Sequence, residues 1–504
     1  MERSVQILKF GGTSVGSGER IRRVAAIIAH HLHNTEEAFP VVVVSAMSGI
    51  TDQLLRIARY ACSDELELCQ RELVALKHRH LEAVDKAVHK PEGRQFLEHD
   101  LQLAFSMLEQ DVIAVETGRI TTGKTDVDYA AAWAKHAPTI GAWGERFSVL
   151  LVAAAIRDLA REATPVREEV IITTDPQSDA RPSFGTLSGA DPLAQETRVN
   201  AQRLIHPAIE RGIVPIVPGF IGRTTRGRVI TLGRNGSDYS ATVIGEALDC
   251  VEVTIYTDVD GVLSADPRIV ANTRLLPRLT YAEAARLSWF GAKVLHPRTL
   301  IPVAHRNIPV HVRNTFRPHL RGTVVGPEQT THSAAAAISV RRQLALITVE
   351  NTDLFGAPEN AGQVFALAAR AGAAPVAICS SSGHHLAFVV EEQAVDSAIA
   401  LLQHDMGSWR VGCRRGLAAC ACIGSGFTVD PMSSARAITA LARERISVIT
   451  QGASDTGIIL IVEEADSERA LRCLHRDLIA PVIPLVRHEG RERQATQERR
   501  REAH

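Results

Sequence analysis

The sequence predicts an α/β protein, a largely parallel sheet flanked by helices in its longer N-terminal part, followed by a smaller α+β region. Three observations carry this. The chain opens as strand, helix, strand: Val5-Gln-Ile-Leu-Lys-Phe10 runs into Gly11-Gly12, Ile21, Val24, Ala25, Ile28 and Leu32 recur at helical spacing, and Pro40–Val44 is the unbroken apolar run of a strand buried on both faces. Later apolar strands again end in glycines and hydroxyl residues, where open α/β sheets hold ligands. Finally, residues 341–487 carry one small α+β pattern twice.

At 504 residues the chain has room for about three domains of ~150 residues. Its formal charge of -1 and 4% aromatic content argue against a polyanion-binding surface, an electrostatic membrane anchor or a base-stacking platform. Partners are expected to be small molecules or proteins. The eight cysteines form no C-x-x-C pair and no zinc-finger spacing, which reads as reduced thiols in a reducing compartment. The start Met-Glu-Arg-Ser lacks a signal-peptide core, and no run approaches the ~18 apolar residues of a membrane span. A soluble, cytoplasmic protein is expected. His30, His31 and His33, with His384 and His385, lack ligand company and are expected at the solvated surface.

The opening strand places Lys9 just before Gly11 and Gly12, with Thr13 and Ser14 after them. Consecutive glycines let backbone N–H groups approach an anion, a helix N-terminus follows, and lysine adds a point charge. This outlines a phosphate cradle, although the same turn also serves as an ordinary α/β connection. The second strand ends in Ser45-Ala-Met-Ser-Gly-Ile-Thr51.

Residues 52–115 read as charged amphipathic helices without nameable chemistry. Gly118-Arg-Ile-Thr-Thr-Gly-Lys124-Thr125 then matches the P-loop pattern letter for letter. Its proper context is a full strand before and a helix after, whereas Val112–Val115 is a short apolar stretch within a helical region. A P-loop NTPase built on Lys124 is therefore the rival reading.

Gly144-Glu145 opens an apolar helix, where a first-turn carboxylate also serves the helix dipole without further function. Ile171–Thr174 is a strand, Ser178–Gly189 a polar loop, Ala194–Glu210 a helix, and Ile213–Gly222 a buried strand passing through Phe220. Val229–Leu232 leads into Gly233-Arg234-Asn235-Gly236-Ser237-Asp238-Tyr239 and an apolar helix. Arginine offers a planar fork to carboxylate or phosphate, and an aspartate can organise Mg²⁺ or a lysine. Ser237 or Asp238 as a helix cap explains neither Arg234 nor the glycines. Val253–Thr257 is a strand continuing into Asp258-Val-Asp260-Gly261 and Asp266-Pro-Arg268, and Phe290-Gly-Ala-Lys293-Val-Leu-His296-Pro places a second lysine among small residues. Ile308–Val312 is a further strand.

Taken together and in order, these motifs over residues 5–325 resemble the amino acid kinase family, and within it the aspartokinases. The match is closest to the kinase half of bifunctional aspartokinase-homoserine dehydrogenases. The resemblance implies an αβα sandwich with a largely parallel sheet, with ATP and L-aspartate meeting above the strand ends and the β-carboxylate attacking the γ-phosphate to give 4-phospho-L-aspartate. It implies Lys9, Asp238 and Lys293 as catalytic residues. Ser45, Thr51, Glu145, Phe220, Arg234 and Ser237 would bind the acceptor, and Lys9, Gly11, Gly12, Thr257, Asp258, Arg268 and Lys293 the nucleotide. Mg²⁺ would arrive with ATP, with Asp238 as a water-mediated contact and no direct protein ligands. Leu263 stands where similar kinases carry a tyrosine near the nucleotide. A catalytically silent amino-acid sensor of the same fold is a second alternative, and the presence of Lys9, Arg234, Asp238 and Lys293 argues against it.

In the C-terminal part, Phe388–Glu392 and Leu460–Glu464 mark the repeat. It is similar to the tandem ACT module that makes many aspartokinases allosteric and oligomeric; a purely structural dimerisation role is the alternative. The resemblance implies domains at 1–328, 336–412 and 413–488, followed by a charged tail, 489–504, expected to be disordered. The effector would be threonine or lysine. Gln451 keeps the glutamine of threonine-sensitive relatives in the second copy, Ser380 replaces it in the first, and Pro375 and Val376 stand where lysine-sensitive enzymes carry an acidic residue.

Overall fold

A computed structural model describes residues 3–34, 38–63, 65–122, 126–175, 190–233, 235–292, 295–327, 337–351, 359–381, 385–406, 409–424, 427, 430–454 and 456–479. These divide into two units. One holds the described residues up to Leu263 and those from Leu275 to 327; the other holds Ser264–Arg274 together with the described residues from 337 onward.

In the first unit, β1 (Val5–Phe10) is followed by α1 (Gly18–Asn34) and β2 (Phe39–Val44), as the apolar pattern predicts. Each residue of β1 is buried, as are Val41–Val44 at 0% exposure; burial contributes about 2 kcal/mol per valine. Next come α2 (Ile50–Ser63), α3 (Leu66–Ala87), α4 (Pro91–Thr122), α5 (Asp126–Gly141) and α6 (Trp143–Asp158). Their apolar faces form one core with α1 and the sheet, in which Phe105 stacks on Phe147 at 4.4 Å between centroids. The stretch Trp133–Asp158 is long and apolar enough for a membrane span, contrary to the sequence expectation. Its apolar window is 83% buried inside the protein, which makes it a core element.

The chain continues through β3 (Ala163–Pro165), β4 (Ile172–Thr173), α7 (Ala194–Glu210), β5 (Val214–Pro218), β6 (Ile221–Thr224), β7 (Val229–Thr231), α8 (Gly236–Ala247) and β8 (Glu252–Thr257). It closes with β9 (Arg278–Thr280), α9 (Tyr281–Trp289), α10 (Pro297–Arg306), β10 (Val310–Asn314) and β11 (Thr323–Gly326). The main sheet has the order β3-β5-β2-β1-β8-β10-β11-β9; it is parallel from β3 to β10, and β10 pairs antiparallel with β11. From β1 the chain moves outward to β2, and later crosses back to lay β8 on the other side of β1. The crevice at the carboxyl ends of β1, β2 and β8 is thus a topological switch point, the ligand-binding position of open α/β sheets. A small sheet β4-β6-β7 stands beside it.

The second unit holds β12 (Ala337–Asn351), α11 (Glu359–Arg370), β13 (Ala377–Ser381), β14 (His385–Glu391), α12 (Val395–Asp405), β15 (Trp409–Ile423), α13 (Pro431–Arg443), β16 (Thr450–Ser454), β17 (Gly457–Glu463) and α14 (Ser467–Leu478). The repeat is present, but its copies are not separate sheets. β12 and β15 pair antiparallel along their lengths, in a single sheet ordered β13-β14-β12-β15-β17-β16. Leu344–Glu350 of β12 pair with β14, and Leu417–Ile423 of β15 pair with β17. The register shifts around Arg341–Leu346, where Gln343 has φ 58° and Gly416 φ 68°.

Within the region expected at 1–328, Ser264–Arg274 packs with the second unit. Ile338 N–H donates to Ser264 O at 2.8 Å, and Ala265 and Val270 lie in a core with Ala437, Leu441 and Leu471, because these apolar side chains find their burial there. The 489–504 tail lies outside the described residues.

Candidate active site

At the carboxyl end of β1, Lys9 Nζ lies 2.5 Å from Asp238 Oδ1 in the first turn of α8, and their side chains are 8% and 14% exposed. Lys9 sits in register with Val43 of β2 and Ile255 of β8, so the central strand aims it at the switch point. Around the pair opens a cavity of about 360 Å³. Ser45, Thr51, Glu145, Phe220, Ser237 and Asp238, all named from sequence, line it together with Lys9 and Gly12.

Close packing explains the glycines. A Cβ at Gly12 would lie 2.9 Å from Ala46 O, one at Gly219 2.8 Å from Ser237 Cβ, and one at Gly236 2.7 Å from the Phe220 ring. Phe220 adopts φ 65°, a conformation rare for a bulky residue, and is held by Ser240 Oγ, which accepts its N–H at 2.9 Å. Asn235, at φ 56°, turns the chain into α8, whose N-terminal dipole faces the cavity.

Glu145, in the first turn of α6, is 2% exposed. Its Oε1 accepts the Ala46 N–H at 3.0 Å, while Oε2 is buried without a hydrogen-bond partner. Burial pushes its carboxyl up to about 8, against the lowering influence of the Ala46 N–H and the Lys9 charge. A buried carboxylate with an unused oxygen, facing a cavity, is matched to a cationic ligand group. Its neighbour Arg146 donates to Glu168 at 2.5 and 2.8 Å, and Arg223 donates to the same carboxylate at 2.6 Å. Burial opposes ionisation of Glu168, but the two arginines outweigh it and hold its carboxyl below the usual range. This bridge ties α6, which carries Glu145, to β6, which follows Phe220.

On the other flank, Thr257 and Asp258 leave β8, with Thr257 Oγ1 donating to Asp258 at 3.2 Å. Three expectations change here. Gly11 N–H already donates to Tyr256 O at 3.3 Å, so the strand end uses that donor and it does not face an anion. Arg268 is ion-paired with Asp266 at 2.6 Å, its side chain is 77% exposed, and it belongs to the second unit. His31 is half-buried, in contact with Gln6 and with the Tyr256 hydroxyl at 3.1 Å, because α1 lays its C-terminal turn over β1 and β8. Leu263 forms a bridge with Leu275. Arg234 and Lys293 lie outside the described residues.

Lys124 does too, but Gly118–Thr122 ahead of it form the end of α4. A phosphate loop follows a strand, so this helix contradicts the P-loop reading. Sequence reasoning passed over Ser48, Asp52, Gly233 and Asn235 as lining residues; the small and polar residues after β2 and before α8 were the available signal. In the second unit, a Cβ at Gly452 of β16 would lie 3.4 Å from Ile378 O of β13, so the strands carrying Ser380 and Gln451 approach each other, with Gln451 exposed.

The sequence profile described as "Amino acid kinase family" matches residues 4–314. The chain belongs to the amino acid kinase family. A second profile, "ACT domain", matches residues 421–478. Within the amino acid kinase family, the chain is 33% identical over 489 residues to bifunctional aspartokinase/homoserine dehydrogenase 2, chloroplastic, of Arabidopsis thaliana, covering 93% of this chain and 50% of that protein. It is 30% identical to aspartokinase 1, chloroplastic, of the same plant, over 93% of this chain and 79% of that one. The chain spans about half the length of the curated bifunctional relatives it matches. Among solved structures, E. coli aspartokinase III in complex with aspartate and ADP is similar with a TM-score of 0.75 at 26% identity, covering 94% of this chain and 100% of that one.

Proposed function

We propose that this chain is an ATP-dependent aspartate kinase, transferring the γ-phosphoryl group of MgATP to the β-carboxylate of L-aspartate to give 4-phospho-L-aspartate and ADP. The observation that carries it is the Lys9–Asp238 pair beside a cavity whose lining includes a buried carboxylate with an unused oxygen. Its likeness to an aspartokinase solved with aspartate and ADP supports the same reading.

In this mechanism Glu145 ionises to receive the substrate ammonium group, Arg234 clamps the α-carboxylate, and Ser45, Thr51, Phe220 and Ser237 fix the β-carboxylate. Thr257, Asp258 and the Gly12 turn hold the nucleotide, with Lys293 as a further cationic contact. Phosphoryl transfer asks for in-line positioning and for neutralisation of charge on the transferred oxygens. Lys9 supplies that charge, and Asp238 keeps its ammonium aimed. Mg²⁺ enters with ATP as part of the substrate. Such an ion is carried mainly by phosphate oxygens and water.

The second unit would be regulatory, binding an amino acid effector such as threonine or lysine near Ser380 and Gln451 and joining chains into a homo-oligomer. The eight free thiols are compatible with the cytoplasm. Trapping acyl phosphate from L-aspartate and MgATP with hydroxylamine tests the assignment, with Lys9→Ala inactive and Lys124→Ala active. Turnover on a different carboxylate would overturn the substrate, and activity lost only in Lys124→Ala would overturn the site. Titration of threonine and lysine into the reaction tests the regulatory reading, which insensitivity to both would sink.

A further inference from the structure

The two loops assigned to the nucleotide are not independent of each other. One leaves β1 through Gly11, Gly12 and Ser14; the other leaves β8 through Thr257, Asp258 and Asp260. Next to β8, on the side away from β1, lies the carboxyl end of β10, which the proposed mechanism does not use.

Asn314 is 2% exposed. Its Nδ2 donates to Asp260 Oδ1 at 2.7 Å and to Asp258 O at 3.3 Å, while its Oδ1 accepts the Phe316 N–H at 2.7 Å. Thr315 is fully buried. Its N–H donates to Thr257 O at 2.8 Å, and its Oγ1 lies 2.6 Å from Oγ of the equally buried Ser14. Ser14 Oγ in turn donates to Tyr256 O at 3.3 Å. Adjacent side chains on one strand end therefore reach the two loops. From outside, Arg20 and Arg23 of α1 pack over the Phe316 ring at 5.1 and 5.9 Å, and Arg23 donates to Phe316 O at 3.1 Å.

We infer that Asn314 and Thr315 are positioning residues for the nucleotide, stapling the glycine loop after β1 to the Thr257–Asp260 loop and so fixing the gap in which the phosphates lie. The inference rests on the kinase reading above. Neither residue touches the acceptor cavity, so the staple acts on the nucleotide and leaves aspartate binding alone. Buried, fully partnered side-chain networks of this kind fix geometry more than they add stability.

Substitution separates the hydroxyl from the volume it occupies. Thr315→Val keeps the shape and loses the bond to Ser14, which retains Tyr256 O; Thr315→Ser keeps the bond. MgADP affinity is measured by calorimetry on the full chain, alongside KM for MgATP and for aspartate and a thermal melt. Thr315→Val and Asn314→Ala are each expected to weaken MgADP and raise KM for MgATP about tenfold, with KM for aspartate within about twofold, and Thr315→Ser to match wild type. Equal rises in both KM values, or unchanged MgADP affinity in folded Thr315→Val, would overturn the staple. Should Asn314→Ala not fold, the Val/Ser pair decides alone. Wild-type protein that neither binds MgADP nor forms acyl phosphate would instead overturn the kinase reading.

Discussion

Lys9 Nζ and Asp238 Oδ1 approach to 2.5 Å although their backbones belong to the central strand and to a helix entered more than two hundred residues later. Each is nearly buried, so each needs the other: an uncompensated charge at this depth would cost several kcal/mol. The pair leaves the ammonium group partnered on one side and facing the cavity on the other. Lys9→Met is expected to lower kcat by about a thousandfold or more, the scale at which removing one preorganised charge acts on a transferring group. Asp238→Asn keeps a hydrogen-bonding partner without the charge and should lose less. Steady-state kinetics with both substrates varied checks both, and kcat within tenfold of wild type in Lys9→Met would exclude it from the chemistry.

Glu145 makes aspartate binding a proton-linked event. With its carboxyl pushed up to about 8 by burial, the free protein holds it mostly protonated at pH 7. An arriving ammonium group favours the ionised form, so binding should release close to one proton. Calorimetry in buffers of different ionisation enthalpy reads this release, and Glu145→Gln should abolish the buffer dependence while weakening aspartate. The same shift acts on stability. The unfolded chain loses this proton near 4.5 and the folded one near 8, so the folded state binds the extra proton between them and stability falls as pH rises through that window. Glu145→Gln should flatten that part of the pH–stability curve.

Gly219 faces Ser237 so closely that a methyl group cannot fit. Its Cβ would meet Ser237 Cβ at 2.8 Å and Cα at 3.1 Å, the latter on the backbone of the α8 entry. Gly219→Ala should displace Ser237 and lower kcat/KM for aspartate about tenfold or more, with a modest change in melting temperature. Wild-type kinetics in this variant would show that Ser237 is not needed where it stands.

Much of this site was legible because its chemistry is concentrated at strand ends. Lys9 lies two residues before a glycine pair, and Ser45, Glu145, Phe220 and Ser237 each adjoin a glycine or alanine; that signal survives in a single sequence. Asn314 and Thr315 carry no such mark, since they merely follow an apolar strand and their importance lies in partners far along the chain. The Gly11 N–H was misjudged for the same reason: whether a turn amide is free depends on the neighbouring strand, here Tyr256 O. In the second unit, periodicity located both copies of the repeat. It could not reveal that β12 and β15 pair along their lengths, because that depends on local breaks at Gln343 and Gly416, nor that Ser264–Arg274 packs there.

His80 offers a test of the helical core away from the chemistry. Its ring is fully buried, 4.7 Å from the Phe147 ring and 5.7 Å from Phe105, with Nδ1 2.8 Å from Leu76 O and Nε2 without a hydrogen-bond partner. Burial pushes its pKa down to about 4, against the raising effect of the Leu76 carbonyl. Below pH 6.5 the unfolded chain takes up a proton that the folded chain refuses until about pH 4, so the unfolded state binds more protons and stability falls as pH falls through this window. The full loss amounts to about 3 kcal/mol, at 1.36 kcal/mol per unit. His80→Leu removes this liability at the cost of some packing. Relative to wild type, the variant should be no more stable at pH 7.5 and should gain steadily as the pH is lowered toward 4, read from melting temperatures across the series. A constant difference between the two proteins over that range would mean that His80 is protonated within the fold, and that the aromatic cluster admits water.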